Sequence, residues 1–162
     1  MLQIDKHLKW CLSDPKRLIK TKPNIKLANK HLKKSEYNYM VLQNLEKLKI
    51  NDWALNVGFY AIYHCFLALL AKYGYDSKNQ VCTITVLLSL IDEKRLDFDK
   101  DLITQFDTLD VEKNITNPTV RKSREISTYG VETSIDLQQL KNIKELIIKI
   151  QREIIRILRE DE

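Results

Sequence analysis

The sequence predicts an all-α fold: an up-and-down helical bundle of four to five main helices with an extra short helix at the N-terminus. Three observations predict it. Only three glycines and three prolines occur in 162 residues, too few for the tight turns of an all-β chain and suited to long helices joined by short loops. Residues 52–73 are almost wholly apolar, as expected of a helix at the centre of a bundle. The C-terminal stretch repeats isoleucine and leucine at helical spacing, which marks a packing seam. With 44% hydrophobic and 30% charged residues, the chain is expected to form one domain over residues 1–162, with 1–23 as an N-terminal extension packing on or beside the bundle.

Taken in order, the first helix covers about residues 2–12 and carries Leu8, Trp10 and Leu12. Asp14-Pro15 and Lys22-Pro23 interrupt the chain behind it, because the residue before a proline is pushed away from helical geometry. A long helix follows over about 24–49. Its apolar positions Leu27, Ala28, Leu32, Tyr39, Leu42, Leu45 and Leu48 keep helical spacing around a gap at Ser35. Lys26, Lys30, Lys33 and Lys34 fall together on one of its faces. The central helix opens on Asn51 or Asp52, either of which can accept a bond from a free backbone amide. It ends at Gly74, which can take the left-handed conformation of a helix C-cap. Along one side, Ala54, Gly58, Ala61 and Ala68 leave room for another helix to approach closely. Its length approaches that of a membrane span. It carries Asn56 and His64, however, and is the only such segment, so a buried helix and no membrane are expected.

A turn at 76–79 leads into a helix over about 80–90, with Val81, Ile84, Val86, Leu87, Leu88 and Leu90 as its apolar face. Residues 97–109 read as the next, turning Phe98, Leu102, Ile103, Phe106 and Leu109 inward. Asn117-Pro118 looks like an N-cap with proline at the first helical position, opening a helix that stops at Gly130. The last helix runs from Ser134 or Ile135 to about Arg159. Leu140, Ile143, Ile147, Ile150, Ile154 and Ile157 recur on it at alternating spacings of three and four, a bundle or coiled-coil seam. Ile148, Ile155 and Leu158 widen the stripe enough to touch two neighbours or a second subunit.

The cysteines Cys11, Cys65 and Cys82 are odd in number and lack Cys-x-x-Cys spacing, so neither a disulfide framework nor a zinc site is expected. A reducing cytoplasm is the default, and the first six residues lack a signal-peptide layout. The net charge of +5 is unevenly placed. Residues 1–50 hold twelve Lys/Arg against four Asp/Glu, and residues 16–34 hold eight basic residues and no acidic one. Such polarity suits an anionic partner, and it equally suits a solvated helix face. Glycine-rich phosphate loops and zincin-type histidine pairs are absent. His7, His31 and His64 have no metal-ligand spacing. No metal and no cofactor are expected.

Two constellations remain. The first is Trp53-Ala54 through Tyr60-Ala61-Ile62-Tyr63-His64 to Ala68-Leu69-Leu70-Ala71 and Gly74. On pattern alone His64 reads as a core histidine with its polar atoms paired. The second is Arg121 to Glu132, in which Arg124 reads as a helix-terminal arginine bonding free carbonyls. Together with the turn Ser77-Lys78-Asn79-Gln80 and Cys82-Thr83, and with Arg124 followed by Tyr129-Gly130, the central segment resembles the HEPN superfamily (higher eukaryotes and prokaryotes nucleotide-binding domains) over roughly residues 24–158.

The resemblance implies a bundle that commonly dimerises and a nucleotide-, RNA- or partner-binding role. Some members are toxins or partners encoded beside a small nucleotidyltransferase, so the resemblance also points to a toxin–antitoxin-type system and a nucleotidyltransferase-type protein partner. Nuclease members would cleave RNA without metal through an arginine and a following histidine. Arg124 matches the arginine, but Tyr129 occupies the histidine position, and a tyrosine with a pKa near 10 is a poor base at neutral pH. Glu125 adds a charge unfavourable to phosphate. Binding is therefore the expected role, with Lys26, Lys30, Lys33, Lys34, Asn79 and Arg121 as RNA or nucleotide contacts. Metal-independent endoribonuclease activity at a dimer cleft, through Arg124 and Tyr129, is the alternative.

Overall fold

The structure is a computed structural model and describes residues 2–107 and 119–160. Its elements in order are α1 (Leu2–Leu12), β1 (Leu18–Lys20), α2 (Ile25–Lys47), α3 (Asn51–Tyr73), β2 (Tyr75–Ser77), α4 (Gln80–Asp92), α5 (Lys100–Phe106), α6 (Val120–Tyr129) and α7 (Leu137–Arg159). The fold is all-α apart from the antiparallel pair β1–β2, in which Leu18 faces Ser77 and Lys20 faces Tyr75. Three-residue strands are too short to leave an alternating pattern in the sequence. They form because Gly74, at φ 80° and ψ 48°, turns the chain back beside residues 18–21, where the Thr21 amide donates to the Gly74 carbonyl.

The predicted core is present. Helix α3 buries thirteen of its residues, Ala54, Gly58, Ala61 and Ala68 among them. It is long and apolar enough to cross a membrane by length and composition, and here those apolar side chains pack against its neighbours. Helix α2 runs antiparallel to α3, with the Asn24 amide bonded to the Ala71 carbonyl. Helix α7 runs parallel to α3: Gly58 faces Ile143 and Ile147, and the Lys72 ammonium donates to the Ile157 carbonyl at 2.7 Å. All six predicted seam residues of α7 are buried, each contributing about 1.5–3 kcal/mol relative to exposure. A Cβ built on Gly58 would lie 2.9 Å from Leu42 Cδ1 and 3.0 Å from Ile143 Cγ2. That position is therefore the close approach of α2, α3 and α7. Phe59, Tyr63, Phe66 and Phe106 stack or meet edge-on in the adjoining layer.

Several local expectations are corrected. Neither Asn51 nor Asp52 caps α3. Lys49 takes a positive φ of 60° and the Ile50 amide bonds to the Leu45 carbonyl, so the chain enters the helix one residue early, with Ile50 at the cap. Leu27 and Leu48, counted on the apolar side of α2, are exposed. Helix α5 starts only after Asp99, whose carboxylate accepts from the Asp101 amide; Leu109 lies outside the described residues. Asn117 and Pro118 also lie outside them, and α6 is capped by Thr119, which accepts from the Lys122 amide. Helix α7 begins at Leu137 behind Asp136.

The largest correction concerns the cysteines. Cys11 of α1 and Cys82 of α4 form a disulfide between fully buried sulfurs, with Cα atoms 5.7 Å apart. Helix α1 packs across α4, and that crossing brings together two residues whose sequence spacing carries no signal. Cys65 is the leftover thiol, buried against Ser35.

Candidate nucleic-acid interface

Helix α2 is launched by Lys22-Pro23 and capped by Asn24, whose side chain accepts from the Leu27 amide at 2.9 Å. Ala28, Ser35, Asn38 and Leu42 point into the bundle. The opposite side is fixed by the 3.6-residue period. Lys26, Lys30, Lys33, Tyr37 and Met40, at spacings of four, three, four and three, are all exposed. Lys34 flanks the stripe with its ammonium 4.8 Å from the centroid of the Tyr37 ring. The four predicted lysines form no ion pair with any described residue. At 1.5 Å per residue, Lys26 to Tyr37 spans about 16 Å. The arrangement is a row of cations, none ion-paired with a described residue, ending at an aromatic ring that Lys34 approaches.

Beneath its edge lies a polar seam. His31 of α2 and His64 of α3 place their Nδ1 atoms 3.0 Å apart. Burial pushes His64 down to about 4, helped by His31 and Lys34. Burial also lowers His31, against the opposing pull of Asp76. Both rings are thus neutral at pH 7, one donating to the other. One turn further, Gln151 of α7 donates to Ser35 Oγ at 3.0 Å, and Ser35 lies 3.1 Å from Cys65 Sγ. Burial raises the Cys65 thiol to about 12, so it stays protonated. His64 is the paired histidine expected from the sequence. Its partner His31 was missed: the two positions lie at unequal distances from the middle of the connection between α2 and α3, so counting from the turn does not pair them.

Arg124 and Tyr129 are not brought together within the chain. Helix α6 lies antiparallel on α3, where Ser127 Oγ donates to the Asp52 carbonyl and Asn56 donates to Thr128. The Arg124 guanidinium rests 4.3 Å from the centroid of the Phe59 ring, and its Nε is buried without a hydrogen-bond partner among the described residues. Among the described residues it bonds no helix-terminal carbonyl, contrary to what the pattern suggested. Tyr129 is 81% exposed; five residues of helix put it about 140° round the axis from Arg124. Arg121 is committed to Asp107 at 3.4 Å and Glu125 at 3.6 Å, which leaves less of its charge for a phosphate. Asn79 caps α4, accepting from the Cys82 amide at 3.1 Å. Among the described residues no group of three or more His, Cys, Asp or Glu could hold a metal ion.

No protein-family model matches this chain, and no curated protein matches it.

Proposed function

We propose that this chain is an RNA-binding module whose exposed α2 face grips the phosphate backbone of a single strand, and that it acts as a dimer. The observation that carries the reading is the exposed row Lys26, Lys30, Lys33 and Lys34 leading to Tyr37, which forms no ion pair with any described residue and sets Lys34 against the Tyr37 ring. Lysines at this pitch neutralise successive phosphates, and an aromatic face beside them stacks a base without regard to its identity. The resemblance of residues 24–158 to HEPN domains supports the same role and the pairing of two copies. It also supports a nucleotidyltransferase-type partner and a place in a toxin–antitoxin-type system. Trp53 and Tyr60 on α3, and Ile126 and Tyr129 on α6, are exposed large side chains of the kind a second copy would cover. The packing of Arg124 on Phe59 favours binding over cleavage.

The test is fluorescence anisotropy with a labelled mixed-sequence single-stranded RNA at several salt concentrations. Four lysine–phosphate contacts give a slope of about −3 for log K against log salt. The variant Lys26→Gln/Lys30→Gln/Lys33→Gln/Lys34→Gln should flatten it towards zero. An unchanged affinity and slope in that variant would refute the reading.

A further inference from the structure

A second feature lies away from the α2 stripe, where α1 crosses the start of α4. A cavity of about 460 Å³ opens there, lined by Lys6, His7 and Trp10 of α1 and by Asn79 and Val81. It is a cleft open to solvent rather than an enclosed cavity, with a volume within the range of about 300–1,000 Å³ usual for small-molecule sites. Trp10 stays 47% exposed on a helix whose neighbouring Cys11 is fully buried. One face of its indole is covered by Arg17, whose guanidinium carbon sits 3.9 Å from the ring centroid. His7 meets it edge-on, with interplanar angle 82°. Trp10 is one wall of the cleft; indole surface left open there can meet a flat ligand, and a cation already stacked on the ring favours an electron-rich one.

The remaining walls add polar chemistry of matching kind. Lys6, one helical turn before Trp10, is exposed and forms no ion pair with any described residue. The Asn79 carbonyl oxygen is spent on the Cys82 amide, while its Nδ2 donates to no described group and can meet an acceptor on a base edge. The two walls do not drift apart. Trp10 is followed by Cys11 and Val81 by Cys82, so the buried disulfide bolts one wall to the other. A site held in place before its ligand arrives loses less on binding.

We infer that this cavity is a nucleotide pocket, taking a nucleobase against Trp10 with its phosphate at Lys6. The ligand is either a free mononucleotide or one nucleotide of a bound strand, which present the same chemistry. The inference does not rest on the α2 stripe.

Trp10 and Trp53 are the two tryptophans of the chain, so a Trp53→Phe protein reports on Trp10 alone. Titrating it with adenosine 5′-monophosphate should quench the fluorescence saturably. Lys6→Gln in that background should weaken the monophosphate about fivefold and leave adenosine unchanged. In calorimetry, Trp10→Ala should weaken binding roughly 5- to 150-fold. Quenching that rises linearly to millimolar nucleotide, or affinities unmoved by both substitutions, would overturn the proposal. Stripe variants with all four lysines replaced should bind the monophosphate as before; loss of binding there would place the site elsewhere and overturn it too. Displacement of the monophosphate by a short oligoadenylate assigns the pocket to a base of the strand, and undisplaced monophosphate assigns it to the free nucleotide.

Discussion

Reducing the Cys11–Cys82 bridge should lower the stability of the fold by about 4 kcal/mol. The bridge closes a loop of sequence separation 71. Cross-linking a loop of that size removes roughly 15 cal/mol/K of chain entropy from the unfolded ensemble, or about 4.4 kcal/mol at 25 °C. With a urea m-value of about 2 kcal/mol/M for a chain of this size, the midpoint falls by about 2 M. Thermal midpoints should fall by about 12 °C, since unfolding entropy near 2.1 cal/mol/K per residue scales the change. The assay compares urea transitions of the same protein with and without a phosphine reductant, which avoids planting new side chains at two buried positions. A thiol count runs beside it. Native protein should give no reactive thiol, because Cys65 is buried and its thiol is raised to about 12. Denatured, unreduced protein should give one. Three thiols in that sample, or coincident urea transitions, would refute the reasoning.

The histidine pair makes stability depend on pH. Burial lowers both rings from 6.5, His64 to about 4, so the unfolded chain binds more protons between about pH 4 and 6.5. Stability is therefore complete above pH 6.5 and falls as pH drops through that window. His31→Asn/His64→Asn should flatten the fall in urea midpoints, and an equally steep fall would show that other groups cause it. Gly58→Val forces branches into space 2.9 Å from Leu42 and 3.0 Å from Ile143 and should cost about 3 kcal/mol in denaturant unfolding; a neutral result would mean α7 is not packed there. Arg124→Ala should cost about 1 kcal/mol of stability through its lost Phe59 contact and leave RNA affinity within twofold by anisotropy. A large loss of affinity with unchanged stability would return Arg124 to the binding site.

Much of this architecture was legible in the residues themselves. The seam from Leu140 to Ile157, the small-residue side of α3 and the Gly74 stop depend on local periodicity and local backbone freedom, both of which a linear sequence displays. The lysines of α2 share one exposed side for the same reason: a helix fixes which residues are neighbours three and four apart. Contacts between distant segments are set by which helix crosses which, and nothing in a periodic pattern encodes the crossing. Only the tertiary structure therefore brought Cys11 to Cys82, His31 to His64 and Trp10 to Asn79. It also turned Arg124 onto Phe59 and away from Tyr129, because α6 lies on α3 with one side inward and a helix separates residues five apart. The sequence by itself determined that this protein is a helical bundle with a basic second helix. The packing of α1 on α4 and of α6 on α3 decided which of its polar residues face a common space.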